Sequence, residues 1–256
     1  MQLKILGCSG GIGEKLRTTA LRVDQDVLID CGTGVGDLSI DQLQQIRYVF
    51  LTHSHMDHIA YLPLLVDTCF ETLLDHPLKV YLQQSTADIL MQHIFNGEIW
   101  PDFTVLPSAD HAVLEFHIIA PGDCVVLGER VFEPVAVAHT VPAVGYRVES
   151  SRGKSFAFSG DTTSCDHFWQ VLNQHSRLDL LLIECAYSNR ESVLAGIAAH
   201  HCPETLLADL VKLDHEPDIF ISHLKAGGEA EIMAELKQGA GDLTLDYLVR
   251  GRVFNL

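Results

Sequence analysis

Within the six residues 53–58 the chain carries His53, His55, Asp57 and His58, four side chains able to bind a metal ion. Neutral imidazole and carboxylate are ligands that zinc, iron and manganese accept, so no sulfur is required. The segment follows directly on the apolar run 48–51. In an extended segment, side chains two positions apart share a face, so His53 and His55 point to one side. The chain must then turn into a helix near Ile59, which lets Asp57 and His58 point to a neighbouring position. One ion can therefore take His53 and His55 while a second takes Asp57 and His58. A solvated histidine-rich turn has a similar composition, but this segment lies inside the chain at a strand end and is not a homopolymer.

Two ions need more than four ligands. His139 ends the apolar run 131–138, Asp161 closes 156–160 and His223 closes 219–222. Each is a polar residue at the C-terminal edge of a buried strand, where a sheet presents function to a cleft. Taken singly, such residues are more often turn formers or satisfied polar groups. Together with the first four they make a set of seven.

The elements that position these residues follow from local pattern. Apolar, β-branched stretches at 2–7, 20–23, 27–30 and 48–52, separated by Gly-rich or polar turns, predict strands. Helical spacing at 59–74 and 85–95 flanks a short strand at 78–82. Further strands are predicted at 112–119, 130–137, 144–148, 155–158, 180–184 and 218–222, and helices at 165–175, 203–212 and 228–237. Two similar halves of strands and helices suggest two sheets packed face to face with helices outside.

The whole chain limits what this site can serve. Its 256 residues contain 17 Lys and Arg against 34 Asp and Glu, a net charge of -17. That balance argues against holding long nucleic acid through many phosphate contacts. A small-molecule substrate fits better. The seven cysteines form no CxxC pair, which predicts reduced thiols in a cytoplasmic protein. No stretch is long and apolar enough for a membrane span, and the N-terminus has no secretory pattern, so the mature protein is expected to begin there. The apolar helices expected around Trp100 would offer a surface for a homodimer. Gly7 to Gly13 lack the GxGxxG spacing of a dinucleotide loop and are expected to form a tight turn near the rim of the site.

With these residues in place, the chain resembles the metallo-β-lactamase superfamily. The HxHxDH motif of that family stands here as His53-Ser54-His55-Met56-Asp57-His58, and its later His, Asp and His as His139, Asp161 and His223. Its Asp-Cys-Gly turn appears as Asp30-Cys31-Gly32. The resemblance spans nearly the whole chain and implies an α+β fold, a four-layer αββα sandwich, with residues 1–256 as one domain. It implies that His53, His55 and His139 hold one divalent ion, that Asp57, His58 and His223 hold the other, and that Asp161 bridges them. Zinc is the expected metal, with manganese or iron the alternatives. Asp30 is implied to be structural.

Finer features are similar to the class II cyclic-nucleotide phosphodiesterases and their relatives, the tRNA 3′-processing endonucleases. They include residues 93–96 and 99–103, the run Ile183-Glu184-Cys185-Ala186-Tyr187-Ser188-Asn189, His200-His201-Cys202-Pro203 and Ser222-His223-Leu224-Lys225. Met56 stands where that pattern usually has leucine, and Ala226 where proline often follows the lysine. The 200–203 run also departs from the usual His-Leu-Ser/Thr-Pro. These departures spare the metal ligands and bear on the substrate.

The resemblance implies a dinuclear phosphodiesterase that opens 3′,5′-cyclic nucleotides to nucleoside 5′-monophosphates. A hydroxide bridging the ions would attack phosphorus, with Asp57 orienting it. The leaving alkoxide needs a proton, and His200 paired with Glu184 is the candidate donor; His201 remains the alternative. The competing readings are a tRNA 3′-processing endonuclease, which would want a basic patch or RNA-gripping arm, an enzyme hydrolysing another ester, and a non-catalytic zinc-binding protein. A structural site would have no use for a Glu184–His200 pair.

Overall fold

The computed structural model describes all residues from Met1 to Leu256. In chain order the first sheet is built from β1 (Gln2–Gly7), β2 (Ala20–Val23), β3 (Val27–Ile29), β4 (Tyr48–Phe50), β5 (Leu78–Leu82) and β6 (Leu114–Ile118). The second comprises β7 (Val125–Leu127), β8 (Arg130–Ala136), β9 (Val144–Ser150), β10 (Ser155–Phe158), β11 (Leu180–Glu184), β12 (Asp218–Ser222) and β13 (Leu245–Tyr247). A last strand, β14 (Val253–Asn255), returns to the first sheet beside β1, so each sheet has seven strands. The strands from β3 to β6 run parallel, as do those from β10 to β13, and the remaining pairs are antiparallel.

Side-chain alternation explains the layers. In β11, buried throughout, Leu180 and Leu182 enter one apolar cluster while Leu181 and Ile183 enter another, as period two demands of a strand covered on both faces. The cluster shared by Leu180 and Leu182 lies between the sheets and joins Leu3, Ile5 and Phe50 to Phe132, Tyr146 and Phe156. Phe50 stacks on Phe132 with ring centroids 4.4 Å apart. Burying each such side chain contributes about 1.5–3 kcal/mol.

Helices cover the two outer faces. α1 (Ile40–Leu43), α2 (Met56–Ile59), α3 (Leu62–Thr68), α4 (Phe70–Leu73) and α5 (Gln84–His93) belong to the first half, and α6 (Asp166–Gln174), α7 (Ser192–Ala198), α8 (Pro203–Leu210) and α9 (Glu229–Gly239) to the second. Leu62, Leu65, Val66 and Leu90 pack with Val49 and Val80 of the first sheet. Phe168, Trp169, Leu206 and Leu236 pack with Leu181, Ile183 and Ile221 of the second. The result is the expected α+β sandwich of four layers. No helix is long and apolar enough to cross a membrane.

The single helix expected over 59–74 is instead α2, α3 and α4. Pro63, in the first turn of α3, lacks the N–H that a continuous helix from α2 would use, and proline is tolerated only at a helix start. The sequence reading also missed β7, β13 and β14. Each has three residues and lies at or next to the end of its sheet order, too short for alternation to register. α1 and α7 were missed too; α1 begins with a capping box between Ser39 and Gln42.

Candidate metal centre

Strand ends on one rim of the sandwich carry the chemistry. His53 and His55 follow β4 and lead into α2, which holds Asp57 and His58; His139 follows β8, Asp161 follows β10, Glu184 ends β11 and His223 follows β12. Two hydrogen bonds tie the sheets together beneath this rim. Tyr146 Oη donates to Leu51 O at 2.7 Å, and Val144 N to Thr52 O at 3.0 Å.

All seven expected ligands converge in two overlapping groups. His53, His55, His139 and Asp161 form one, and Asp57, His58, Asp161 and His223 the other, with the ligand atoms of each within 4.8 Å of one another. Asp161 belongs to both. Its Oδ2 lies 3.2 Å from His58 Nε2 and 3.8 Å from His53 Nε2, and its Oδ1 lies 3.1 Å from His223 Nδ1. His139 Nε2 is 3.1 Å from His55 Nδ1. Two nitrogens on one tetrahedral zinc are roughly 3.3 Å apart, so these separations suit ligands of a shared ion.

The outward ring nitrogens are already held. His58 Nδ1–H donates to Asp30 Oδ2 at 2.6 Å, and His139 Nδ1–H to Ala199 O at 3.0 Å. Thr52 Oγ1 donates to Asp30 and so accepts from His53 Nδ1–H at 2.9 Å. Carboxylate, hydroxyl and carbonyl partners fix the tautomer that leaves Nε2 as a lone pair aimed inward, the arrangement usual behind a metal-bound histidine. Asp30 is therefore no member of the ligand groups, yet it sets the orientation of two rings. Its signal in the sequence was the Asp-Cys-Gly turn after β3.

An inner void in bonding accompanies this outer order. His53 Nε2, His58 Nε2 and His223 Nδ1 are buried with no hydrogen-bond partner, a costly state for polar atoms that a coordinated cation would relieve. Burial pushes His53, His55, His139 and His223 down, the last to about 3, so their rings are neutral and able to ligate at pH 7. His58 goes the other way: burial pulls it down, but the Asp161 and Asp30 carboxylates outweigh that and hold it well above its usual value, so without an ion its Nε2 keeps a proton between them, and a cation binding there would displace that proton. The residues thus fit two divalent ions.

Beside the ligands, His200 Nδ1–H donates to Glu184 Oε1 at 2.6 Å, and the His200 ring stacks on His223 at 5.2 Å. Glu184 also accepts from Thr162 N and His201 N. Burial lowers His200, but the Glu184 bond and charge outweigh it and raise its pKa. His201 faces Thr205 instead, and burial takes it down to about 4. Of the two histidines left open in the sequence, His200 is the one whose ring meets Glu184. The remaining histidines lie outside both ligand groups; His175, for example, pairs with Glu133 at 2.8 Å.

The backbone is shaped for this rim. Of four non-glycine residues with positive φ, three are Asp30 (58°), Ala199 (52°) and His223 (57°), a conformation such residues rarely adopt and that clusters at functional sites. The glycine-rich turn lies against the site as expected: His223 N donates to Cys8 O, and a Cβ on Gly10 would come within 2.7 Å of His223 O. A Cβ on Gly32 would come within 2.3 Å of Asp57 O.

Comparison with known proteins agrees with this architecture. Residues 25–240 match the family model described as Beta-lactamase superfamily domain. A probable 3′,5′-cyclic-nucleotide phosphodiesterase of Yersinia pestis is 26% identical over 237 residues, covering 80% of this chain and 66% of its own length. Ribonuclease Z of Methanopyrus kandleri is 29% identical over 157 residues, covering 59% of this chain and 50% of its own. The chain thus spans about two thirds or less of the length of these two relatives. Unliganded yeast PDE1 superposes with a TM-score of 0.84 at 18% identity, over 100% of this chain and 99% of that one. With the family model matched over most of its length and the fold shared, the chain belongs to the metallo-β-lactamase superfamily, whose members are generally hydrolases.

Proposed function

We propose that the protein is a dinuclear metal-dependent phosphodiesterase that hydrolyses 3′,5′-cyclic nucleotides to nucleoside 5′-monophosphates. The observation that carries this reading is the Glu184–His200 pair, 2.6 Å apart and stacked against the ligand His223. A structural metal site needs no proton donor beside it; ester cleavage does. The Yersinia relative supports the substrate class.

His53, His55, His139 and Asp161 would hold one ion, and Asp57, His58, His223 and Asp161 the other. Two ions, when bound, lower the pKa of water towards about 7 and neutralise charge on the phosphoryl oxygens. Asp57, the one ligand carboxylate with a partly open side chain, at 31%, can accept a hydrogen bond from the attacking water. As the P–O3′ bond breaks, His200 gives its Nε2 proton to the leaving alkoxide. Glu184, fixed on Nδ1, keeps the imidazole protonated and aimed until then. A buried carboxylate in that place stabilises the imidazolium and orients it in one stroke.

The test is turnover of cyclic AMP, cyclic GMP, bis(p-nitrophenyl) phosphate and a tRNA precursor, with metal content measured on the same sample. Ring opening with about two metals bound supports the proposal. Cleavage of the tRNA precursor without ring opening favours the endonuclease reading, to which the Methanopyrus relative points and against which the net charge of -17 argues.

A further inference from the structure

A succession of side-chain contacts runs from the ligand residue His223 through His200 to Tyr187 and Lys225. The His223 ring stacks on His200 at 5.2 Å, the Tyr187 ring lies 5.7 Å from that of His200, and Lys225 Nζ sits 5.8 Å from the Tyr187 ring centroid. Tyr187 and Lys225 are both half-buried, the first three residues after Glu184 and the second two after His223. Their backbones are pinned to the same rim: Tyr187 N donates to His201 O, and Lys225 N to Ala186 O. Neither side chain is used up by its own fold. Lys225 spends one N–H on Gly10 O at 3.1 Å, leaving two donors and no acceptor.

This inference rests on the reading of His200 as donor to the leaving alkoxide. The alcohol portion of the substrate then lies next to His200, and in a cyclic nucleotide that portion is the nucleoside. It meets an aromatic face and an ammonium group in turn. An aromatic face is a stacking platform for any base, but a group that only donates is selective. Guanine offers two adjacent acceptors, N7 and O6, whereas adenine offers N7 beside the N6 amino donor, which a lysine cannot satisfy.

We propose that Tyr187 and Lys225 form a nucleobase subsite, with Tyr187 packing on the base and Lys225 donating to guanine N7 and O6, so that the site prefers guanine over adenine nucleotides. In a chain with 17 basic against 34 acidic residues, a lysine at this point also draws an anionic substrate towards the metals.

The experiment is equilibrium binding of 5′-GMP and 5′-AMP by calorimetry to the metal-loaded protein and to its Lys225→Ala, Lys225→Arg and Tyr187→Ala variants, read alongside kcat/KM for the two cyclic nucleotides. The expected results are a preference for GMP of roughly ten-fold, abolished in Lys225→Ala, kept in Lys225→Arg, and weaker binding of both nucleotides in Tyr187→Ala. A lysine that merely holds the Gly10 turn would weaken GMP and AMP equally when removed, and that result overturns the proposal, as does equal binding of the two by the unaltered protein. If GMP selectivity appears without turnover of either cyclic nucleotide, the subsite stands and the cyclic-nucleotide activity falls.

Discussion

Asp161 and Asp209 are equally hidden from water, each 2% exposed, yet their surroundings differ in kind. Asp209 of α8 is saturated. Its Oδ1 accepts from Ser164 Oγ and Lys212 Nζ, both at 2.6 Å, and its Oδ2 from Trp169 Nε1 at 3.0 Å and Cys165 N at 3.3 Å. Four donors fill the four lone-pair sites of a carboxylate, and they tie α6 to α8. Asp161 is ringed by His53, His58 and His223 nitrogens that make no hydrogen bond. The same residue type completes a structure in one region and leaves a gap in the other. A buried aspartate left without hydrogen-bond donors, among histidine nitrogens that also lack partners, is suited to holding a cation.

Replacing each aspartate separates the two roles. Asp161→Ala removes the group shared by both ligand sets, so metal content and turnover should collapse by more than the roughly 100-fold of an outer-shell change. Metal analysis and kcat/KM on one sample check this; full metal occupancy in the variant would break the comparison. His200→Ala should keep its metal and lose about 10²–10⁴-fold in kcat. A metal-free His200→Ala would instead make His200 a ligand. Asp30→Asn, acting through the His58 ring, should cost about 10–100-fold in metal affinity, measured by titration against a chelating dye.

Asp209→Asn lies on the other side of the comparison. It should lower stability by about 1.5–3 kcal/mol, the range for hydrogen bonds to a charged group, in denaturant melts, with turnover per folded molecule retained. The smallest effect is its pH dependence. Burial pushes the Asp209 carboxyl up, but its bonds to Lys212, Ser164 and Trp169 outweigh burial and hold it below the usual range. Its stabilisation is therefore complete above the unfolded value of about 3.9 and is lost as pH falls through the lower folded value. The stability gap between the unaltered protein and Asp209→Asn should narrow below about pH 4; a constant gap would show that Asp209 is not held ionised by its partners.

What was legible in the sequence was local. His53, His55, Asp57 and His58 could be paired from spacing because strand and helix periodicity dictate where neighbours point, and β11 and β12 were legible because buried parallel strands are continuous apolar runs. The four-layer sandwich followed from the order of such segments and from the resemblance. The tertiary structure alone decided what depends on distant groups meeting. It brought His139, Asp161 and His223 from separate strand ends to one rim, turned His200 and not His201 towards Glu184, and set Asp30 behind His58 and His53. It also split the 59–74 helix and paired three-residue strands at the sheet margins. Periodicity orients a side chain relative to its neighbours in the chain, but a partner 28 residues away, as Asp30 is from His58, is chosen by sheet register and by close approaches such as that of Gly32 to Asp57, which only the folded chain possesses.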